Sequence, residues 1–162
     1  MWGIVNAVRQ NHALEHATIH LLSHRNPFLR LVGRTTPAGF SIYGRVDTEE
    51  LADAATEAIL RLQRGERHLA IHPRCGTNLV VTGVMAGTAG FVASLGGTRS
   101  RLDRLPLALV AATLAAIAAQ PVAHTVQERI TTTARVEGSY IASITRRQLG
   151  GMILHKVEVG RG

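Results

Sequence analysis

One cysteine, Cys75, is too few for an intrachain disulfide, so this chain is no disulfide-stapled scaffold and its fold must rest on packing. Aromatic residues make up only 4%, with a single tryptophan, which leaves few rings for a stacking platform on single-stranded nucleic acid. Lysine is almost missing: among 18 Lys+Arg residues Lys156 stands alone. The formal charge of +7 is not gathered into any long run of one sign, so neither a basic nucleic-acid arm nor an acidic tail is present, and nucleic acid is excluded as the expected partner. The opening Met1-Trp2-Gly3-Ile4-Val5-Asn6 lacks a charged leader, a long apolar stretch and a small-residue cleavage site, so no secretory signal is expected. With 46% apolar and 18% charged residues over 162 positions, the chain is expected to fold, as one domain with an addition rather than a multidomain machine.

Charge itself is missing from two long stretches. Residues 75–98 are 24 consecutive positions without Asp, Glu, Lys or Arg, and residues 105–127 are 23 more. A bilayer-spanning helix needs about 20. These stretches predict a transmembrane helical hairpin over 75–127, with spans at about 77–95 and 105–122. The first span carries the pair Gly83 and Gly87, and the second repeats alanine at Ala108, Ala112, Ala115, Ala116 and Ala119, small-residue surfaces along which helices approach closely in lipid. The alternative is a buried helical hairpin of a water-soluble protein. Gly83, Gly87 and Gly90 form no phosphate loop, because no Lys-Ser/Thr follows them. A connection over Thr98–Arg104 is short enough for a tight turn, which brings both flanking portions out on one side. Arg61, Arg64, Arg67, Arg74, Arg129 and Arg135 on that side outnumber Arg99, Arg101 and Arg104 in the loop, which predicts a multi-pass protein of the cell membrane with its soluble domain cytoplasmic.

The flanking portions, 1–74 and 128–162, read as one small soluble α+β domain of about four strands and two helices. Ile4 to Ser23 has apolar residues near helical spacing, and Pro27 closes it. Gly33, Pro37 and Gly39 mark a loose connector before an alternating strand over Phe40–Val46. Asp47 is an N-cap, with Glu50 completing a capping box, for a helix whose apolar face is Leu51, Ala55, Ala58, Ile59 and Leu62. His68–His72 predicts a short strand leading into the first span, and two β-rich runs, Tyr140–Thr145 and Ile153–Val159, flank Gly150-Gly151 as a hairpin. The membrane hairpin is then inserted between the second and third strands. His155, within a strand, is expected to face outward or to pair with Glu137 or Glu158, and His24 to be solvated.

The chemistry lies in Asn11-His12-Ala13-Leu14-Glu15-His16-Ala17-Thr18-Ile19-His20. His12, His16 and His20 recur every fourth residue, so on a helix their imidazoles form one slowly rotating stripe in which neighbours can share a metal ion. Glu15 lies beside the stripe and is the candidate general base. Two imidazoles and one further ligand leave zinc an open position for water, and a neighbouring carboxylate can take that water's proton. The third ligand is His72, Cys75 or His20. His72 and Cys75 have His-x-x-Cys spacing, and together with His12 and His16 they would make a closed, structural four-ligand site; His72 or His68 alone would leave it open for hydrolysis. A separate reading makes Cys75 a nucleophile, with His72 or His12 as base and Asn78 as orienting group.

His12-Ala13-Leu14-Glu15-His16 resembles the inverted zinc-peptidase motif H-x-x-E-H over five residues, which implies that His12 and His16 bind zinc and that Glu15 is general base. Over most of its length the chain also resembles an uncharacterised family of small bacterial membrane proteins. The likeness is carried by the His-rich first helix, the His72-Pro73-Arg74-Cys75-Gly76-Thr77-Asn78 junction and the two spans. The leading expectation is an integral membrane zinc-binding protein, bound to the lipid bilayer, whose site either holds metal alone or hydrolyses an amide or ester near the membrane surface. The competing expectation is a non-enzymatic membrane assembly factor or scaffold, oligomerising with itself or with another membrane protein through its small-residue helices.

Overall fold

The computed structural model describes residues 2–95 and 102–162. They divide into two compact units, one made of Met1–His72 with Glu128–Gly162, the other of Pro73–Gln127.

The first unit is α+β. Its leading helix, α1 (Trp2–Arg25), ends just before Pro27, whose ring forbids a further turn. A hairpin follows, β1 (Val32–Thr36) and β2 (Gly39–Tyr43), then α2 (Thr48–Gln63) and a 3₁₀ turn over Arg67–Ala70. Beyond the second unit the chain adds β3 (Ser139–Leu149) and β4 (Met152–Arg161). The four strands form one antiparallel sheet in the order β1-β2-β4-β3, so strands from before and after the inserted unit pair directly. The register sets Phe40 opposite Val157 and Ile42 opposite His155, and the two-residue period places all four, with Val159, on the inner face. Gly150 turns the β3–β4 hairpin at φ +61°, a conformation that carries little strain only without a Cβ.

Two expectations are corrected here. The segment around Gly33 is a strand, β1, and not a loose connector, because pairing Val32–Thr36 with Gly39–Tyr43 closes a hairpin across Pro37 and Ala38. His68–His72 is not a strand: it is built around the 3₁₀ turn, and its carbonyls at Ala70 and Ile71 are bonded by histidine side chains of α1 instead of a ladder partner. The number of strands holds while one of them moves.

Asp47 caps α2 as its sequence position implies, accepting from the Glu49 and Glu50 backbone N–H groups at 2.8 and 3.3 Å. These bonds hold the Asp47 carboxyl below its usual pKa. Leu51, Ala54, Ala55, Ala58, Ile59 and Leu62 form the buried face of this helix. Each fully buried leucine or isoleucine contributes roughly 1.5–3 kcal/mol. α1 is different. From Asn11 to Leu22 every residue is buried or half-buried, Glu15 and the histidines included, so α1 is a central helix touched by α2, both strands of the first hairpin and the 3₁₀ turn. An interior helix with that many polar side chains is stable only when each finds a partner.

The second unit is a helical pair, α3 (Gly76–Ser94) and α4 (Leu105–Val126), with a 3₁₀ turn at Leu102–Arg104 leading into α4. A π-type turn over Gln127–Thr131 returns the chain to the first unit. Both helices are long and apolar enough to cross a membrane. They are not buried: Leu79, Val80, Val84 and Phe91 on α3 and Leu107, Leu109, Leu114 and Ile117 on α4 all stand exposed. The alternative of a buried hairpin in a soluble core does not describe them. The close approach of the two helices is at Gly90, where an added Cβ would sit 3.4 Å from the Ala112 Cβ and 3.5 Å from the Ala108 carbonyl oxygen. Gly83 and Gly87 look onto open space. Arg99 and Arg101 of the expected connecting loop lie outside the described residues.

Candidate metal centre

The four-residue spacing on α1 does what helix geometry requires. The rings of His12 and His16 lie with centroids 4.3 Å apart, and a donor nitrogen of each lies within 4.8 Å of the other. His72, arriving on the segment after the 3₁₀ turn, brings its ring 5.7 Å from His16 and 4.9 Å from His20. Four imidazoles from two segments thus form a continuous cluster within the first unit. His16 is only 2% exposed.

Backbone carbonyls orient three of these rings. His12 Nδ1 is 3.0 Å from the Thr131 oxygen, His16 Nδ1 is 2.8 Å from the Ala70 oxygen, and His20 Nε2 is 2.8 Å from the Ile71 oxygen. A carbonyl oxygen only accepts, so the ring nitrogen facing it must carry the hydrogen. In the neutral imidazole the other nitrogen then holds the lone pair: Nε2 of His12 and His16, and Nδ1 of His20. Carbonyl-anchored histidines with the remaining nitrogen ready to donate are the usual outer support of a metal ligand. The donor set is borderline-soft nitrogen, which suits a divalent transition metal and not calcium or magnesium.

Glu15, 6% exposed, accepts a hydrogen bond from the Thr35 hydroxyl of β1. Gly33 on the same strand has no side chain because a Cβ there would land on the Glu15 carboxylate. The acid is therefore held against the sheet by two residues that sequence reasoning passed over. A glycine inside a strand pattern is the signal that could have found them, since it marks a close approach.

Cys75 belongs to the second unit, where it is the N-cap of α3: its sulfur accepts from the Thr77 N–H at 3.4 Å and lies 3.5 Å from the Thr77 hydroxyl. The cap is thus the cysteine and not Thr77 or Asn78; the Asn78 amide instead donates to the Pro73 carbonyl at 2.7 Å. His68 and His24 are exposed.

His155 corrects its expectation. It is fully buried and faces inward beside Phe40, Ile42 and Val157, because the β2–β4 register assigns position 155 to the inner face. Its Nε2 is 3.0 Å from the Thr48 hydroxyl, while Nδ1 is buried without a partner. Burial, and then the positive charge of Arg146 across the β3–β4 pair, lower its pKa, with Asp47 pulling the other way.

A family model described as a domain of unknown function, DUF6391, matches residues 7–144. An uncharacterised protein of Picosynechococcus sp. (strain ATCC 27264 / PCC 7002 / PR-6) is 44% identical over 98 residues, 54% of this chain and 48% of the relative. The match thus spans about half of that relative's length. No solved structure matches the chain.

Proposed function

The chain belongs to the DUF6391 family, and from that premise we propose that it is an integral membrane protein that binds zinc through the α1 histidine cluster. The observation that carries this reading is the set of three imidazoles whose N–H groups are fixed on backbone carbonyls, leaving their lone pairs for a cation. His12 and His16 are the first pair of ligands, His72 or His20 supplies the third, and Cys75, three residues beyond His72 in the chain, is the fourth donor offered by the His-x-x-Cys spacing. The apolar exterior of α3 and α4 supports the membrane half of the proposal, since water-soluble surfaces rarely expose so many large apolar side chains together. The excess of arginine flanking the two helices favours a cytoplasmic first unit.

With one coordination position open, bound zinc would supply Lewis acidity and a water of lowered pKa, the chemistry of amide or ester hydrolysis near the membrane surface. Glu15 is then the proton acceptor, and Thr35 is the residue that orients its carboxylate. A second reading is a non-enzymatic scaffold. It is favoured by the open Gly83–Gly87 surface of α3, which offers a contact for another helix, and by the carbonyl-bonded histidines acting as structural links alone.

Metal analysis separates the two. Protein purified without a histidine tag should retain about one zinc per chain. A His12→Ala, His16→Ala variant should lose it while its circular dichroism is preserved. Wild type that stays metal-free after incubation with zinc refutes the metal reading and leaves the scaffold. Within the metal reading, Glu15→Gln should keep zinc and abolish hydrolysis, whereas unchanged turnover would make Glu15 structural.

A further inference from the structure

The first turns of α1 carry apolar side chains that the first unit does not use. Ile4 is 61% exposed and Val5 51%, and the first turn of the helix contains no acid. Their place in the chain's geometry is fixed by Arg9. Its guanidinium donates to the carbonyl of Arg129 at 2.9 Å and to that of Thr132 at 3.0 Å, and the Thr133 N–H donates to the Arg9 carbonyl at 3.2 Å. The start of α1 is thus clamped to the residues that immediately follow α4. Among those residues Ile130 is 63% exposed.

We propose that the N-terminal turns of α1, with Ile4 and Val5, and the neighbouring Ile130 form an interfacial anchor that docks into the headgroup region of an anionic lipid bilayer. The proposal rests on the reading of α4 as a membrane span. If α4 crosses, Arg129 stands at the lipid boundary, and its clamp holds Arg9 at the same level. Five residues separate Ile4 from Arg9, a rise of about 7.5 Å along a helix. That length matches the roughly 5–10 Å to which interfacial helices sink their apolar side chains. Arg9, Arg129 and Arg135 outweigh Glu128 here, giving the positive balance that complements anionic headgroups. Lipid is thus the occupant that matches both the apolar and the charged part of this surface.

The sole tryptophan, Trp2, reports on it directly. The full chain is reconstituted in phosphatidylcholine–phosphatidylglycerol vesicles whose acyl chains carry bromine either near the headgroup or near the bilayer centre. Emission should be blue-shifted and quenched at least about twofold more by the shallow bromines, as for an indole in the interfacial belt. A Trp2→Phe, Ile4→Trp variant should behave likewise. Ile4→Asp, Val5→Asp should abolish the quenching while the chain still resists alkaline extraction. Retention of the wild type after extraction with an unquenched, water-like indole overturns the anchor alone. Release of the wild type by alkali overturns the span reading and the anchor with it. A blue shift that follows protein-to-lipid ratio but ignores bromine means that a second copy covers this surface, and likewise overturns the proposal.

Discussion

Acidification should weaken the first unit through His155, and the size of the effect follows from its surroundings. The ring is fully buried on the sheet's inner face with an unpartnered Nδ1, and burial and Arg146 lower its pKa from 6.5. In the folded chain it therefore stays neutral at pH values where the unfolded chain takes up a proton. Stability is complete above pH 6.5 and falls as pH drops through the window between 6.5 and the lower folded value. The limiting slope is about 1.4 kcal/mol per pH unit, and from pH 6.5 to 5.5 the loss is at most about 1 kcal/mol. Urea titrations of the full chain in mild detergent, followed by far-ultraviolet circular dichroism at a series of pH values, measure it. The other histidines also titrate, so the comparison is with His155→Gln, which keeps a polar group of similar reach and removes this one proton. The variant's stability should depend less on pH below 6.5 by the stated amount. Parallel curves for the two proteins would refute the reasoning, because they would mean that His155 binds its proton equally well in both states.

Two further outcomes test the packing. Gly33→Ala puts a methyl group onto the Glu15 carboxylate and should destabilise the first unit by about 1–3 kcal/mol in the same urea titration; a neutral result would show that the carboxylate moves away freely. Leucine at Gly90 should force α3 from α4 and lower the thermal midpoint in detergent, whereas leucine at Gly83 or Gly87 should not; equal losses would contradict the contact at Ala108 and Ala112.

Local signals sufficed where the physics is local. The N-cap at Asp47, the stop before Pro27 and the Gly150-Gly151 turn each depend on a few neighbouring dihedrals and could be read from the residues themselves. Two charge-free runs were enough for two long apolar helices, since length and hydropathy are properties of the chain. The spacing of His12, His16 and His20 likewise made their shared stripe legible, because helix periodicity is fixed.

Tertiary contact decided the rest. β1 owes its strand to β2, and the segment before His72 gave up a ladder because side chains of His16 and His20 reach its carbonyls first. His155 points inward by the register of two strands separated by more than a hundred residues, a relation that no local window contains. The same holds for Glu15: its neighbour His16 announced a metal motif, but the partners that hold the carboxylate, Gly33 and Thr35, lie on another element. Periodicity names the residues along one element, whereas the chemistry of a buried group is set by what a second element places against it.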